Sequence, residues 1–272
     1  MPDPYATIAD ADTALQERLS DVLELRAADS QQRAMLRAYL SEISLPRGSR
    51  ALEVGCGTGA VSRVLIEAMN FDVTGIDPSP VFVARARELG KHLPGLTFMP
   101  GDGRLLPQPD ASFDLVVFHT TLCHIPHPEA ALREAYRVLR PNGWLALFDG
   151  DYSTTTVAVS DFDPLQTLVR AMVTNFVHDP WLIRRVSKML GASGFHVVSL
   201  RSHGYTQTTE PTYMLTLIDR GADILVGSGS LAREAADALR TEARRRAQAG
   251  EFFGHISFVS VIARKPNHMN AT

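Results

Sequence analysis

Short apolar runs alternate with helix-periodic segments through the first half of the chain. The apolar runs predict five strands, at 50–54, 72–76, 95–99, 113–118 and 143–149. The segments between them predict helices at 58–69, 79–90 and 128–139. Strands that alternate with helices are typical of βαβ units, whose strands form a parallel sheet. The pattern therefore predicts an α/β domain with a Rossmann-like, doubly wound sheet, and ligands of such sheets bind at the carboxyl ends of the strands.

Helical periodicity also precedes and interrupts this domain. Before it, the pattern predicts helices at 9–27 and 30–44, and then a break at 45–48. After Gly150 it predicts helices within 162–192 and at 211–225 and 229–248, and strands at 195–201 and 256–263. We therefore expect an N-terminal helical cap over 1–48 and a main domain over 49–272. Helical insertions on the substrate side are expected at about 151–193 and 205–250.

The first strand runs into three closely spaced glycines, Gly55, Gly57 and Gly59, within the segment Ala51–Leu65. Glycines let the backbone turn tightly and approach a ligand, and a helix that begins near Thr58 would direct its free N–H groups at that ligand. This predicts a site for an adenosine-containing cofactor. Asp77, at the end of the second strand, is placed to accept the two ribose hydroxyls. Nicotinamide and adenosyl cofactors both remain open at this point, because Gly55, Gly57 and Ala60 also satisfy the dinucleotide pattern.

Three further features favour an adenosyl cofactor that carries a cationic headgroup. Glu53, two residues before Gly55, suits a cation better than a pyrophosphate. The segment Gly101-Asp102-Gly103 follows the third strand, where a carboxylate is placed to accept from the adenine amine. The third feature is the block from Phe113 to Gly143, in which a strand leads through a His- and Pro-containing loop into a helix.

Together these motifs resemble those of class I S-adenosylmethionine-dependent methyltransferases of the UbiE-like type, the methyltransferase type 11 family. The matching segments lie within about 49–150 and are LEVGCGTG, GID, GDG, FDLVV and HIPHPEAALREAYRVLRPNG. The resemblance implies a seven-stranded sheet of order 3-2-1-4-5-7-6 with strand 7 antiparallel. It also implies an N-terminal helical lid and S-adenosyl-L-methionine as cofactor, while the stretch between strands 6 and 7 is longer than the family core and is expected to be a helical insertion.

The resemblance also assigns cofactor contacts. It implies that the methionyl part is held by Glu53 and by the loop Gly55, Cys56, Gly57, Thr58 and Gly59. It implies that Asp77 binds the ribose, that Pro78 or Ser79 flanks the adenine, and that Asp102 accepts the adenine amine beside Gly101 and Gly103. His119 stands where the family commonly has Asn or a small polar residue, and its carbonyl would face the methionyl ammonium. A structural role in capping a loop remains open for Glu53 and Asp102.

A general base is needed only when the acceptor must lose a proton. His119 and His124 follow strand 4 and are the candidate catalytic residues, while a purely structural role remains open for His124. Asp149, Asp151 and Tyr152, after strand 5, are further candidates. Cys123 and His127 lie near these histidines, but Pro126 and Pro128 interrupt any helix that could align them, so we expect no metal site.

Composition and charge narrow the function. The chain has 272 residues, two cysteines and a formal net charge of −3. A chain with no extended basic run is not expected to bind nucleic acid, and one with no long apolar run is not expected to span a membrane. We expect a cytoplasmic monomer or homodimer that methylates oxygen or carbon of a phenolic, quinol or polyketide-like metabolite. A NAD-dependent oxidoreductase, and a methyltransferase fold that binds the cofactor without transferring methyl, are the alternatives.

The N-terminal helices supply Tyr5, Arg26, Arg33 and Tyr39 as possible contacts to cofactor or substrate. Packing against the edge of the sheet would place the same residues equally well, and the sequence does not decide between these roles.

Overall fold

The computed structural model describes residues 3–267, which form a seven-stranded sheet with helices packed around it. The strands are β1 Arg50–Val54, β2 Asp72–Asp77, β3 Leu96–Pro100, β4 Phe113–His119, β5 Leu139–Val157, β6 His196–Gln207 and β7 Gly254–Arg264. The helices before β5 are α1 Thr13–Ala28, α2 Ser30–Leu40, α3 Ala60–Met69, α4 Pro80–Gly90 and α5 Pro128–Val138. The helices after β5 are α6 Leu165–Phe176, α7 Leu182–Ala192, α8 Thr212–Gly227 and α9 Arg233–Ala249.

The strand order is β3-β2-β1-β4-β5-β7-β6, as predicted. The β1 strand pairs in parallel with β2 and β4, whereas β7 is antiparallel to both β5 and β6. The central strands are apolar throughout because helices cover both faces of the sheet. Leu52 of β1 and Leu115, Val116 and Val117 of β4 are fully buried. The doubly wound fold predicted from the sequence is confirmed.

The strands after residue 139 are longer than the sequence pattern predicts. The β5 strand continues past 149 because it pairs with β7 as far as Val157 opposite Gly254, across a register shift between Asp151 and Thr156. The segment expected from about 151 therefore begins as strand, and its first helix starts at Leu165, within the predicted range 162–192. The strand β6 likewise extends to Gln207, so the second helical insertion begins after 207 instead of at 205.

The N-terminal helix begins later than predicted. A short 3-10 helix occupies Ile8–Asp10, and α1 starts at Thr13, where the Asp12 carboxylate accepts the amide of Leu15 at 2.8 Å. An Asp at this position satisfies one of the free N–H groups of the first turn. Residues 1–2 and 268–272, which the predicted cap and main domain include, lie outside the described residues. No helix within 3–267 has the length and apolarity to cross a membrane.

Helices α6 and α8 pack backbone against backbone at Gly221. A Cβ built on Gly221 would lie 1.9 Å from the carbonyl oxygen of Leu168 in α6. Helix α6 follows β5 and helix α8 follows β6, so this contact joins the two segments and fixes α8 against α6.

Gly221→Ala should destabilise the protein by roughly 1–3 kcal/mol or more, because a backbone carbonyl cannot move aside as a flexible side chain can. Gly227→Ala, at the end of the same helix, is the matched control, since nothing lies within 4 Å of its Cβ position. The free energy of unfolding of this control should be unchanged or should rise by up to about 1 kcal/mol, because alanine has the higher helix propensity. Urea unfolding of both variants measures the difference, and equal free energies of unfolding would contradict the packing described here.

Candidate cofactor and active site

A cavity of about 510 Å³ opens at the carboxyl ends of β1, β2 and β4. The glycine loop after β1 forms one side of it, and residues 5–10 with parts of α1, α2 and α8 form the other. Its size is that of a typical small-molecule site. Part of the N-terminal segment predicted to form a cap thus lines one side of this cavity.

The glycine loop is held in a conformation that requires glycine. Gly55, Gly57 and Gly59 have φ values of +70°, +52° and +77°. A Cβ on Gly55 would lie 2.1 Å from the methyl carbon of Thr121, so the loop packs directly on the segment after β4. Helix α3 begins at Ala60, slightly later than predicted, and Ala60 lies on the cavity wall. The positive end of this helix is therefore available to a ligand.

Asp77 ties the end of β2 to the glycine loop. Its Oδ2 accepts the amide of Gly57 at 2.8 Å, and its Oδ1 accepts the amide of Ser79 at 2.9 Å. The side chain lines the cavity and is 5% exposed. Burial raises the pKa of Asp77 to about 6, although the two amides act to lower it. Each carboxylate oxygen can accept more than one hydrogen bond, so the predicted contact to ribose hydroxyls is compatible with these bonds and stays a prediction.

Glu53, near the end of β1, is a buried carboxyl group on the cavity wall. Its Oε2 accepts the hydroxyl of Ser62 in the first turn of α3. Burial raises the pKa of Glu53 to about 8, and the charge of Asp77 adds to this, while Ser62 and Arg63 act to lower it. Glu53 is thus protonated at neutral pH in the free protein, and a cation placed beside it would favour the ionised form.

Asp102 lies on the cavity wall, and both of its carboxylate oxygens are hydrogen-bonded to a neighbouring residue. Both of its oxygens accept from the guanidinium of Arg104, at 2.7–3.1 Å, and Oδ1 also accepts the Arg104 amide at 2.8 Å. Its side chain is 46% exposed, and Arg104 lowers its pKa. The structure has the loop-capping arrangement that the sequence left open, and a contact to an adenine amine stays a prediction. Gly103 lies on the cavity wall beside it.

His119, the last residue of β4, is an uncharged ring on the cavity wall. Its Nδ1 lies 2.9 Å from the hydroxyl of Tyr39, and its ring stacks on Phe148 with centroids 4.7 Å apart. Burial and the charge of Arg26 lower the pKa of His119 to about 3. Its carbonyl already accepts the hydroxyls of Thr120 and Thr121. A ring with this pKa is a poor base at neutral pH.

His124 lies on the cavity wall and is oriented by a carboxylate. Its Nδ1 lies 2.6 Å from Oδ2 of Asp3, and the same carboxylate accepts the amides of Tyr5 and His178. Asp3 is 5% exposed. A carboxylate on one ring nitrogen fixes the orientation of the ring and leaves the other nitrogen available. This arrangement is the one expected of a general base, and it places His124 ahead of His119 for that role.

The remaining predicted site residues divide between the cavity and its surroundings. Those on its wall are Cys56, Thr58, Pro78 and Tyr152. Gly59, Gly101 and Asp149 lie behind the wall, and Asp151 is paired with Arg184 at 2.8 Å. Burial raises the pKa of the Cys56 and Cys123 thiols, so neither is a thiolate. Within residues 3–267, no three His, Cys, Asp or Glu side chains are grouped to hold a metal ion.

Sequence reasoning missed three groups of the site, of which Arg220 lines the cavity and Ser62 and Asp3 bond to residues on its wall. Ser62 donates a hydrogen bond to Glu53. Because Ser62 lies only nine residues later, at the start of α3, the sequence could have indicated this contact. Asp3 and His124 are 121 residues apart, and Arg220 comes from α8. No local pattern joins such distant positions, so these two contributions required the fold.

Comparison with known proteins places this geometry in a family. A family model described as a methyltransferase domain matches residues 52–147, which include the glycine loop, Asp77, Asp102 and both histidines. The 27-O-demethylrifamycin SV methyltransferase of Amycolatopsis mediterranei is 36% identical over 150 residues, which cover 54% of this chain and 48% of that protein.

Two further matches agree with this one. The 2-methyl-6-phytyl-1,4-hydroquinone methyltransferase of Synechocystis is 30% identical over 175 residues, covering 64% of this chain and 55% of that protein. The chain thus spans about half the length of the curated relatives it matches. The crystal structure of a putative methyltransferase from Bacillus halodurans shares the fold, with a TM-score of 0.61, 22% identity, and coverage of 85% of this chain and 99% of that one. Residues 52–147 thus match the methyltransferase domain family, and the chain as a whole shares its fold with a solved protein of that description.

Proposed function

We propose that the protein transfers a methyl group from S-adenosyl-L-methionine to a small-molecule acceptor. The observation that carries this proposal is the single cavity that has the glycine loop, Glu53 and Asp77 at one end and the Asp3-oriented His124 at the other. One end has the chemistry for a cationic adenosyl cofactor, and the other has a base for an acceptor. Phenolic, quinol and polyketide-like acceptors fit the aromatic and apolar lining, which includes Tyr152, Phe176 and Leu217.

The residues at the glycine end fit the donor. Glu53 is a buried carboxyl group whose ionised form needs a cation nearby, and the methionyl part of the cofactor carries an ammonium. Asp77 lies where a strand ends beside a glycine loop, which suits two vicinal hydroxyls. The bound cofactor supplies an electrophilic methyl carbon, whose bond to sulfur breaks as the acceptor bond forms, leaving S-adenosylhomocysteine as a neutral thioether.

The chain's own contribution to the reaction is alignment, exclusion of water and removal of a proton. A sulfonium leaves as a neutral thioether and needs no acid, so holding donor and acceptor in line supplies much of the rate. Asp3 fixes the ring of His124, whose second nitrogen takes the proton of a phenol or enol. The neutral His119, bonded to Tyr39, positions the end of β4 beside the glycine loop.

Binding of S-adenosylhomocysteine tests the donor assignment. At about 100 times its dissociation constant, the ligand should stabilise the protein by about 2.7 kcal/mol, measured as a thermal shift. Asp77→Asn should weaken binding about ten- to a hundredfold, because it removes charge-assisted hydrogen bonds.

The matched control is Asp72→Asn, at the exposed start of the same strand, which should bind as the wild type does. A larger shift with NAD than with S-adenosylhomocysteine would favour the oxidoreductase alternative and contradict the proposal. Cofactor binding without turnover of any acceptor in a broad panel would favour a fold that binds the cofactor without transferring methyl.

The raised pKa of Glu53 makes stability and binding depend on pH in opposite directions. The folded state holds this proton to about pH 8, whereas the group's ordinary pKa is 4.5. Its stabilising effect is therefore fully present below pH 4.5 and is lost as pH rises through 8, and each tenfold difference in proton affinity corresponds to about 1.4 kcal/mol. The free protein should lose stability between pH 6 and 8.5, measured by urea unfolding.

Affinity for S-adenosylhomocysteine should instead rise over this pH range, since Glu53 must lose its proton to pair with the ammonium. The slope should approach tenfold for each pH step below 8. Glu53→Gln should flatten both profiles. An unchanged pH profile in that variant would show that Glu53 is not the titrating group.

The assignment of His124 as base predicts a selective loss of turnover. His124→Asn should lower kcat about 10²–10⁴-fold on a hydroquinone acceptor, with the dissociation constant of S-adenosylhomocysteine unchanged. His127→Asn, on the same loop, is the control, because this exposed residue has a φ of +56° that Asn tolerates. Release of S-adenosylhomocysteine measures turnover, and equal rates for the His124 variant and the wild type would restrict His124 to a structural role.

A further inference from the structure

Two arginines reach the acceptor end of the cavity without a carboxylate partner. Arg26 of α1 donates to the hydroxyl of Thr120, and Arg220 of α8 lies over the ring of Phe176, 5.0 Å from its centroid. Within residues 3–267, the Nη2 of Arg220 is buried without a hydrogen-bond partner, and neither guanidinium forms a salt bridge. Removing a guanidinium from water without a partner is costly.

Two other arginines on the cavity wall are neutralised. Arg63 pairs with Glu24 at 3.0 Å, and Arg104 pairs with Asp102 at 2.7 Å. Arg26 and Arg220 differ from these in having no such pair among the described residues, although both line the same cavity. Arg33 of α2 also lines the cavity without a carboxylate pair among the described residues, but it is exposed to water, whereas Arg26 and Arg220 are partly buried.

The two guanidinium groups share the cavity wall with three phenols, those of Tyr5, Tyr152 and Tyr213. Burial raises the pKa of Tyr213, while the charges of Arg26 and Arg220 both act to lower it. Burial also raises the pKa of Tyr152. A phenol hydroxyl can donate a hydrogen bond to an anion, and a neutral phenol does not cancel the positive charge of the arginines.

The nearby carboxylates are already engaged or lie elsewhere. Asp149 acts electrostatically on Arg26, but its oxygens accept the amides of Cys123 at 3.1 Å and Gly150 at 2.9 Å. Glu53 and Asp77 belong to the glycine end. Asp3 at the acceptor end is bonded to His124, so the two arginines there have no free carboxylate to pair with, whereas Glu53 and Asp77 are buried acids at the glycine end.

Gln32 supplies an independent sign of a polar ligand. Its side chain is 4% exposed and lies on the wall of the same cavity. Within the described part of the chain, neither its amide nitrogen nor its amide oxygen has a hydrogen-bond partner. Buried amides are nearly always hydrogen-bonded. The unpartnered side chain of Gln32 therefore indicates that a bound molecule supplies its hydrogen-bond partners.

We propose that the acceptor binds as an anion, with an oxyanion group, a carboxylate or a phosphate, held between Arg26 and Arg220. Planar guanidinium groups present paired N–H donors that match both kinds of group. Tyr213 and Gln32 contribute further hydrogen bonds. That this anion is the methyl acceptor rests on the proposed methyl transfer, whereas the binding of an anion at this site does not depend on it.

Ligand-observed NMR with matched probes tests this site. Benzoate and phenyl phosphate are compared with the neutral benzamide, on the full chain with and without saturating S-adenosylhomocysteine. Benzoate or phenyl phosphate should bind about ten- to a hundredfold more tightly than benzamide, the equivalent of a hydrogen bond to a charged group. The tighter of the two anions distinguishes a carboxylate from a phosphate site.

Arg220→Met and Arg26→Gln should each abolish the preference for the anion while leaving affinity for S-adenosylhomocysteine within about twofold. Arg18→Met, an exposed position on the same helix as Arg26, is the control and should keep the preference. Equal binding of benzoate and benzamide to the wild type would overturn the proposal. So would variants that lose S-adenosylhomocysteine but keep the anion preference, since the arginines would then serve the cofactor. If S-adenosylhomocysteine does not bind the wild type, the proposed methyl transfer is contradicted but the anion site is not, because the anion preference is also measured without S-adenosylhomocysteine.

Discussion

The hydrogen bonds from Gly57 and Ser79 to the carboxylate of Asp77 join the parts on which the candidate site depends. They connect the end of β2 to the glycine loop after β1 and to the start of α4, so three segments of the chain share one buried side chain. The parallel pairing of β1 with β2 and β4 brings their carboxyl ends to one edge of the sheet. A cavity forms there because the N-terminal residues and the helices after β5 close over that edge.

Burial controls the charge of this cavity. At the glycine end it raises the pKa of Glu53 and Asp77, and beside them it lowers the pKa of His119. In the free protein these groups are less charged than they would be in water, and a cation bound beside Glu53 would favour its ionised form. At the opposite end, Arg26 and Arg220 keep their charge and lack a carboxylate partner among the described residues. A cationic donor would pair with the acids at the glycine end, and an anionic acceptor would pair with the two arginines at the opposite end.

Local signals in the sequence were sufficient for the central part of the fold. Apolar runs and glycines predicted the alternation of strands and helices, the glycine loop and the position of Asp77, because each of these features depends on neighbouring residues. The sheet order came from the resemblance of the spaced motifs to a known family. The length of β5 was not predictable, since its continuation to Val157 depends on pairing with β7, about a hundred residues later. The same holds for the contact of Asp3 with His124 and for the approach of Arg220 from α8. The paired state of Asp102 was left open by the sequence, and it depends on the side chain of Arg104 two residues away.

A crystal structure of the complex with S-adenosylhomocysteine, grown near pH 8.5, tests the central claim most directly. The account predicts the ligand inside the cavity, with its ribose hydroxyls on Asp77 and its ammonium beside Glu53, and with the sulfur directed toward His124. A ligand bound outside the cavity, or one whose adenosine lies at the arginine end, would contradict it.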